Sequence, residues 1–442
     1  MLWLILVLQI LTAVIAAKKR VLPYVVLTIA TVFLVTGQAF QIQGDLTKSS
    51  SALYAFSRIT DAGFTAATRY VLVTTILSFL FSIVFRGYEP PPRLSSEYRF
   101  QPSGLFYGIM LGCESALAFV LVFVVVGVSA FVGSSRPGTQ PGATLFIVLM
   151  SIGLFPLYLK IAYRSKVVVA DLICFALSLA VTAGFSRLHV ILYSMVVLVA
   201  IYYGRGWALR PITFKMVLIF AVSGFLLTSF FFIFGALRDA QNFTKGSISD
   251  LVRYNLDHPE KSLLSLEFTY RTSVEGMSGI AGAMGESIGN PAQVRRDYGA
   301  QSALDGMFQL LPSALKQLFQ EEIETVQNWY WYKKPGGNVS PGLETSFVSF
   351  GMAGMIIYPV FVFLFGWIIP MKALRHNLSP PLMLCVLMAI GCTPLTVRGK
   401  WSTWFAFSIA YCVVIFLIWP LFATCFSREA PKKKDECQAY PA

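Results

Sequence analysis

Charged residues are scarce in this chain, at 13% of the total, about half the share of an ordinary soluble domain. A soluble enzyme of this length is excluded on that ground. Histidine is scarcer still, with three in all, and no Cys/His cluster has the spacing of a zinc site, so no metal and no cofactor is expected. The cysteines (Cys113, Cys174, Cys385, Cys392, Cys412, Cys425 and Cys437) lie in apolar stretches or in the tail. None falls in the long polar segment between residues 237 and 342, which removes a disulfide framework there. No internal repeat is visible, which argues against transporters built from inverted repeats. A basic leader is also missing. The first 17 residues end in Ala-Val-Ile-Ala-Ala and are followed, not preceded, by Lys18, Lys19 and Arg20, the polarity of an uncleaved first span.

What the chain has in abundance is apolar surface, 56% of its residues, in stretches near the roughly 18 to 20 residues that cross a bilayer. About eleven spans are predicted, near 2–17, 21–40, 70–85, 104–132, 143–160, 167–185, 189–203, 215–236, 343–370, 381–397 and 403–425. The net charge of +13 sits in short clusters at the ends of these spans, which is the pattern of membrane orientation and not of nucleic-acid binding. Alternate loops collect 18 Lys and Arg on one side against 7 on the other when the long segment is set aside. Long segments translocate largely regardless of charge, so setting it aside is legitimate. The expectation is a polytopic membrane protein with its N-terminus outside, its C-terminus inside and the long segment on the outer face.

The predicted fold class is all-α polytopic. N-terminal transmembrane helices occupy residues 1–236, a long periplasmic loop, helical and bearing the catalytic face, occupies 237–342, C-terminal transmembrane helices occupy 343–426, and a basic cytoplasmic tail occupies 427–442. The tail, with Lys432, Lys433 and Lys434, reads as a disordered anchor to anionic lipid.

A loop of about a hundred residues is more often a working part than a connector. Arg238 opens it. Glu267, Arg271 and Glu275 follow at i, i+4 and i+8, so a helix over Leu263 to Met284 would hold an arginine between two carboxylates. A surface salt-bridge ladder has the same spacing. Trp329 and Trp331 alternate with Tyr330 and Tyr332, forming either a sugar-stacking platform or an interface anchor. Pro335 to Gly342, with Asn338 and Ser340, leads through Glu344 into the ninth span. Such a turn exposes backbone N–H groups at a helix start, and Glu344 is either a base or a helix-start carboxylate. Arg187 stands at the outer mouth of two spans, and Arg398 and Lys400 flank the tenth, followed by Trp401 and Trp404. A planar guanidinium suits a phosphate or diphosphate, and it also snorkels. Glu114, inside the fourth span, is costly there and reads as functional or as paired with another span.

In combination these segments resemble the Wzy-type oligosaccharide repeat-unit polymerases of bacterial surface polysaccharide assembly, most closely the branch that makes enterobacterial common antigen. The resemblance covers about residues 183 to 410. It rests on Ala-Gly-Phe-Ser-Arg ending at Arg187, Thr-Tyr-Arg-Thr-Ser around Arg271, Leu310 to Ser313, Asn338 to Glu344, Phe350 to Gly354, and Val397 to Lys400. It implies a membrane-embedded, GT-C-like glycosyltransferase. Such an enzyme joins a growing glycan, carried on undecaprenyl diphosphate, to the next lipid-linked repeat. Its partners are the lipid-linked donor and acceptor, membrane lipid and a chain-length regulator protein, with no nucleic acid. Arg187, Arg271 and Arg398 take the place of a diphosphate clamp and Glu344 that of the base. Glu267, Glu275, Lys400, Asn338, Ser340, Trp329, Trp331 and Arg238 are expected to bind substrate. The chain departs from the family in having one long outer loop, the second candidate (Gln41 to Arg69) being modest. An O-antigen ligase and a lipid-linked oligosaccharide flippase are the alternatives. The first relies on a histidine in the large loop, where this chain has only His258, and the second favours charges near mid-membrane.

Overall fold

The computed structural model describes residues 1–54, 57–87, 98–126, 148–163, 165–185, 187–204, 253, 256–257, 276–289, 342–375, 378–393, 395–398 and 401–428. Among them the chain is mostly helical, and five helical stretches are long and apolar enough to cross a membrane: Leu22–Leu46, Asp61–Val84, Gly104–Phe123, Gly342–Ala373 and Trp404–Ala423. Shorter apolar helices occupy Leu2–Lys18, Val148–Ala162, Val169–Thr182, His189–Gly204 and Pro380–Gly391. This is a membrane protein with helical spans. The predicted span at 215–236 lies outside the described residues.

In chain order the helices are α1 (Leu2–Lys18), α2 (Leu22–Leu46), α3 (Asp61–Val84), α4 (Gly104–Phe119), α5 (Val148–Ala162), α6 (Val169–Phe185) and α7 (Arg187–Val199). They continue with α8 (Met277–Gly289), α9 (Gly342–Phe350), α10 (Gly354–Phe363), α11 (Pro380–Gly391), α12 (Leu395–Arg398) and α13 (Trp401–Ala423). Hydrocarbon offers the backbone no hydrogen-bond partner, so each span closes its own ladder. The ends are closed by side chains. Thr60 accepts from the Gly63 N–H at the start of α3 and Ser103 from the Phe106 N–H at the start of α4, both as N-caps. At the other end of α3, Lys19 Nζ donates to the carbonyls of Ser82, Ile83 and Phe85 at 2.6–2.7 Å, placing a cation where the helix dipole is negative.

Side-chain contacts sort the helix ends into two layers. One joins Lys19 to the end of α3, Tyr203 Oη to the Arg20 carbonyl at 3.1 Å and Trp367 Nε1 to the Arg86 carbonyl at 3.0 Å. The same layer holds a short antiparallel pair, β3 (Tyr98–Phe100) with β4 (Phe426–Arg428), in the register Tyr98↔Arg428 and Phe100↔Phe426. The opposite layer holds the start of α3 and a hairpin of β1 (Ser51–Tyr54) with β2 (Ser57–Thr60), paired Ser51↔Thr60. Tyr54 Oη donates to Asp45 at the end of α2 and ties the hairpin down. Each layer gathers ends that the charge pattern assigns to a single side. The two strand pairs depart from the all-α expectation, and β4 takes in Ser427 and Arg428 from the predicted disordered tail.

The ninth span differs most from expectation. The Ser346 carbonyl would sit 2.4 Å from a Cβ at Gly354, and Tyr358 presses on Gly342 in the same way. In one straight helix residues 342 and 358 would stand about 24 Å apart. The chain therefore reverses between α9 and α10. The turn is the 3-10 segment Gly351–Ala353, where Gly351 has φ +59° with open space around it, a conformation that favours glycine. α9 is thus a half-length helix folded back on α10. The return limb, Gly354 to Arg375, is still about 33 Å long and crosses with a π-helical turn at Leu364–Ile368.

Candidate functional site

A second half-length helix comes from the segment predicted to be an outer loop. α8 packs against α2, α3 and α9, and its first residues are buried. The predicted helix over 263–284 does not run through as one element, because the chain bends at Gly276 and the helix begins at Met277. Gly276 lies against the Leu34 carbonyl, which a Cβ would meet at 1.8 Å. Leu34 is twelve residues, about 18 Å, below the Leu46 end of α2. Gln38 of α2, fully buried, accepts through Oε1 from the N–H groups of Gly276 (3.2 Å) and Ser278 (2.9 Å). It supplies the cap that a buried helix start needs. From there α8 climbs to the β-hairpin layer, where Gly63 lets it lie against α3: a Cβ at Gly63 would meet the Ala281 carbonyl at 2.5 Å and Gly285 Cα at 2.8 Å.

α9 enters the bundle beside α8. Leu343, Glu344, Thr345 and Ser346 are all 2% exposed or less, so Glu344, in the first turn of α9, is a buried helix-start carboxylate. Gly342 abuts the Thr396 carbonyl of α12, and Tyr358 Oη donates to that same carbonyl at 3.1 Å. The element carrying Glu344 therefore packs directly on the element that ends in Arg398. The predicted tenth span is itself shorter than expected, because α11 stops at Gly391 and the chain turns through Cys392 and Thr393 before α12.

Beneath α9 lies a small cavity of ≈ 40 Å³, bounded by Leu343, Tyr358, Gln9, Thr28, Thr31 and Thr74 among others. Thr28, Thr31 and Thr74 each donate to the carbonyl four residues earlier, so their oxygens remain as acceptors. Gln9 takes the Thr36 hydroxyl at 2.7 Å. A space of this size holds one or two waters and no sugar.

Of the other predicted residues, Arg187 is the first residue of α7 and Arg398 the last of α12. α7 packs on α11, and the His189 ring lies 4.9 Å from that of Phe407 on α13. The starts of α7 and α13 thus share the layer opposite Lys19. Arg238, Glu267, Arg271, Glu275, Trp329, Trp331, Asn338, Ser340 and Lys400 lie outside the described residues. The sequence reading missed Gln38 and Gln9, although an amide inside an apolar span is a signal in its own right. No family model, curated protein or solved structure matches this chain.

Proposed function

We propose that this protein polymerises lipid-diphosphate-linked oligosaccharide repeats at the outer face of the bacterial inner membrane. The observation that carries the reading is the meeting of α9, which bears Glu344, with α12, which ends in Arg398. Arg187 heads α7, whose start lies in the layer opposite Lys19. These are three of the four residues that the Wzy-type resemblance marks for catalysis, and Arg187 comes from a segment over 150 residues before the other two. The contact-defined layers agree with the sidedness that the charge pattern assigns, and in this reading the Lys19 layer is cytoplasmic.

In the reaction an acceptor hydroxyl oxygen bonds to the anomeric carbon of the donor glycan. The bond from that carbon to the diphosphate breaks, and the diphosphate leaves with the electron pair. Arg187, Arg271 and Arg398 stabilise the charge that develops on it. The hydroxyl proton passes to Glu344, a carboxylate held inside the bundle. Half-length helices suit such a site, since irregular backbone at membrane depth is tolerated where protein covers it.

The test is a gel of lipid-linked and surface glycans from a strain lacking the gene, complemented with wild type, Arg271→Ala or Glu344→Gln. Single repeats without a ladder, with the ladder restored by wild type alone, are expected. A full lipid-linked ladder that never reaches its final acceptor identifies a ligase instead. Repeats trapped on the cytoplasmic side identify a flippase, and an unchanged gel removes the glycan reading.

A further inference from the structure

Glu114 has no part in the transfer chemistry, yet the fold builds a compartment for it. It sits in the middle of α4, 1% exposed, and its Oε1 accepts the Ser178 hydroxyl of α6 at 2.7 Å. Its Oε2 has no hydrogen-bond partner among the described residues. The space it occupies exists only because residue 153 is glycine: a Cβ there would fall 1.0 Å from Glu114 Oε1. Three elements, α4, the 3-10 turn Ser151–Leu154 and α6, therefore close around one carboxyl group.

An ionised carboxylate in such a place needs a cation. The cation packed nearby, Lys160 of α5, is already committed to Asp171 of α6 at 3.0 Å, both nearly fully buried. Asp171 is further held by the Tyr107 hydroxyl and, at 2.7 Å, by the Val168 N–H. The 3-10 turn and the π-helical Val120–Val126 offer no titratable group. α4 adds Tyr107 and Cys113, and Cys113 is exposed. What remains is a file down one face of α6. Asp171, Cys174, Ser178 and Thr182, at helical spacing, are all fully buried, and Cys174 lies in electrostatic range of both Asp171 and Glu114. This file links Glu114 to the Lys160–Asp171–Tyr107 cluster in the layer that contains Lys19.

We propose that Glu114 is an intramembrane proton-binding site, exchanging its proton with one membrane face through the polar file of α6. The carboxyl holds the proton because no cation among the described residues is placed to balance its charge. The proton exchanges through Ser178, the group of the file in hydrogen-bond contact with Oε1. Glycosyl transfer does not require this site, so the two readings stand or fall separately.

Infrared spectroscopy of the full chain in lipid nanodiscs tests it. Wild type is expected to show a protonated-carboxyl C=O band that is missing from Glu114→Gln, shifts in deuterium oxide and fades as pH is raised. Ser178→Ala, which keeps the carboxyl and removes its donor, is expected to move that band to higher frequency, and so serves if the Gln variant does not fold. Asp171→Asn is expected to slow deuterium exchange at Glu114 at least tenfold. Absence of any band assignable to Glu114 at every pH overturns the proposal. So does a band that neither exchanges nor titrates, since that is a sealed structural acid.

Discussion

Gln38 shows how much one amide does inside an apolar bundle. Its Oε1 satisfies two N–H groups at the buried start of α8. Gln38→Leu leaves both donors unpaired, at a cost of about 1–3 kcal/mol each. Amide exchange across residues 276–284 is expected to accelerate at least tenfold, and unchanged protection there would show that the cap is dispensable. Two glycines make a contrasting pair. Gly351 has a positive φ and empty surroundings, so Gly351→Ala pays backbone strain alone, about 1 kcal/mol. Gly63 has ordinary backbone, but a Cβ there would meet the Ala281 carbonyl of α8 at 2.5 Å. Gly63→Ala must push a helix backbone aside, and about 1–3 kcal/mol is expected from the overpacking. Thermal unfolding in detergent should rank Gly63→Ala as the more damaging change, and the reverse order would place the tight approach elsewhere.

At the scale of elements, the connections between helices hold as much chemistry as the spans. Lys160 ends α5, where the charge pattern reads it as one of several orienting cations. In the fold it is buried against Asp171 at the start of α6, with the Tyr107 ring 5.4 Å from its ammonium. Removing one partner of a buried pair leaves an uncompensated charge, at about 3–5 kcal/mol. Lys160→Met alone is therefore expected to be severe. Adding Asp171→Asn, which still accepts from Tyr107, should recover much of the loss. A double-mutant cycle on unfolding free energy reads this directly, and purely additive losses would mean that the pair is not coupled. The half-helices α8 and α9 belong to this scale too. Their sequences are legible as apolar helix, but that each runs only partway through the bundle is not. A nine-residue helix ending in Phe350-Gly351 reads the same whether the chain continues or turns back, because hydropathy counts residues and carries no direction.

For the molecule as a whole, the grouping of helix ends into two layers makes a sidedness prediction. Single cysteines at Ser49, beyond α2, and at Glu286, near the end of α8, are expected to react with a membrane-impermeant maleimide from outside intact cells. One at Thr424, beside β4, should react only after permeabilisation. Labelling of Ser49 and Thr424 positions from the same side would break the arrangement.

Apolar runs and the placement of basic residues were enough to read a helical membrane protein and the positions of ten of its apolar helices, since burying a span in lipid depends on composition and length alone. The pairing of cysteine-free loop and bundle was not readable that way. That residues 276–289 rise from a buried start between α2 and α3, that α9 folds back on α10 and packs on α12 with Glu344 buried, and that Gly153 makes room for Glu114 were decided by close backbone approaches. Each depends on which surfaces meet across long sequence separations, at distances of a few ångströms that no local pattern encodes.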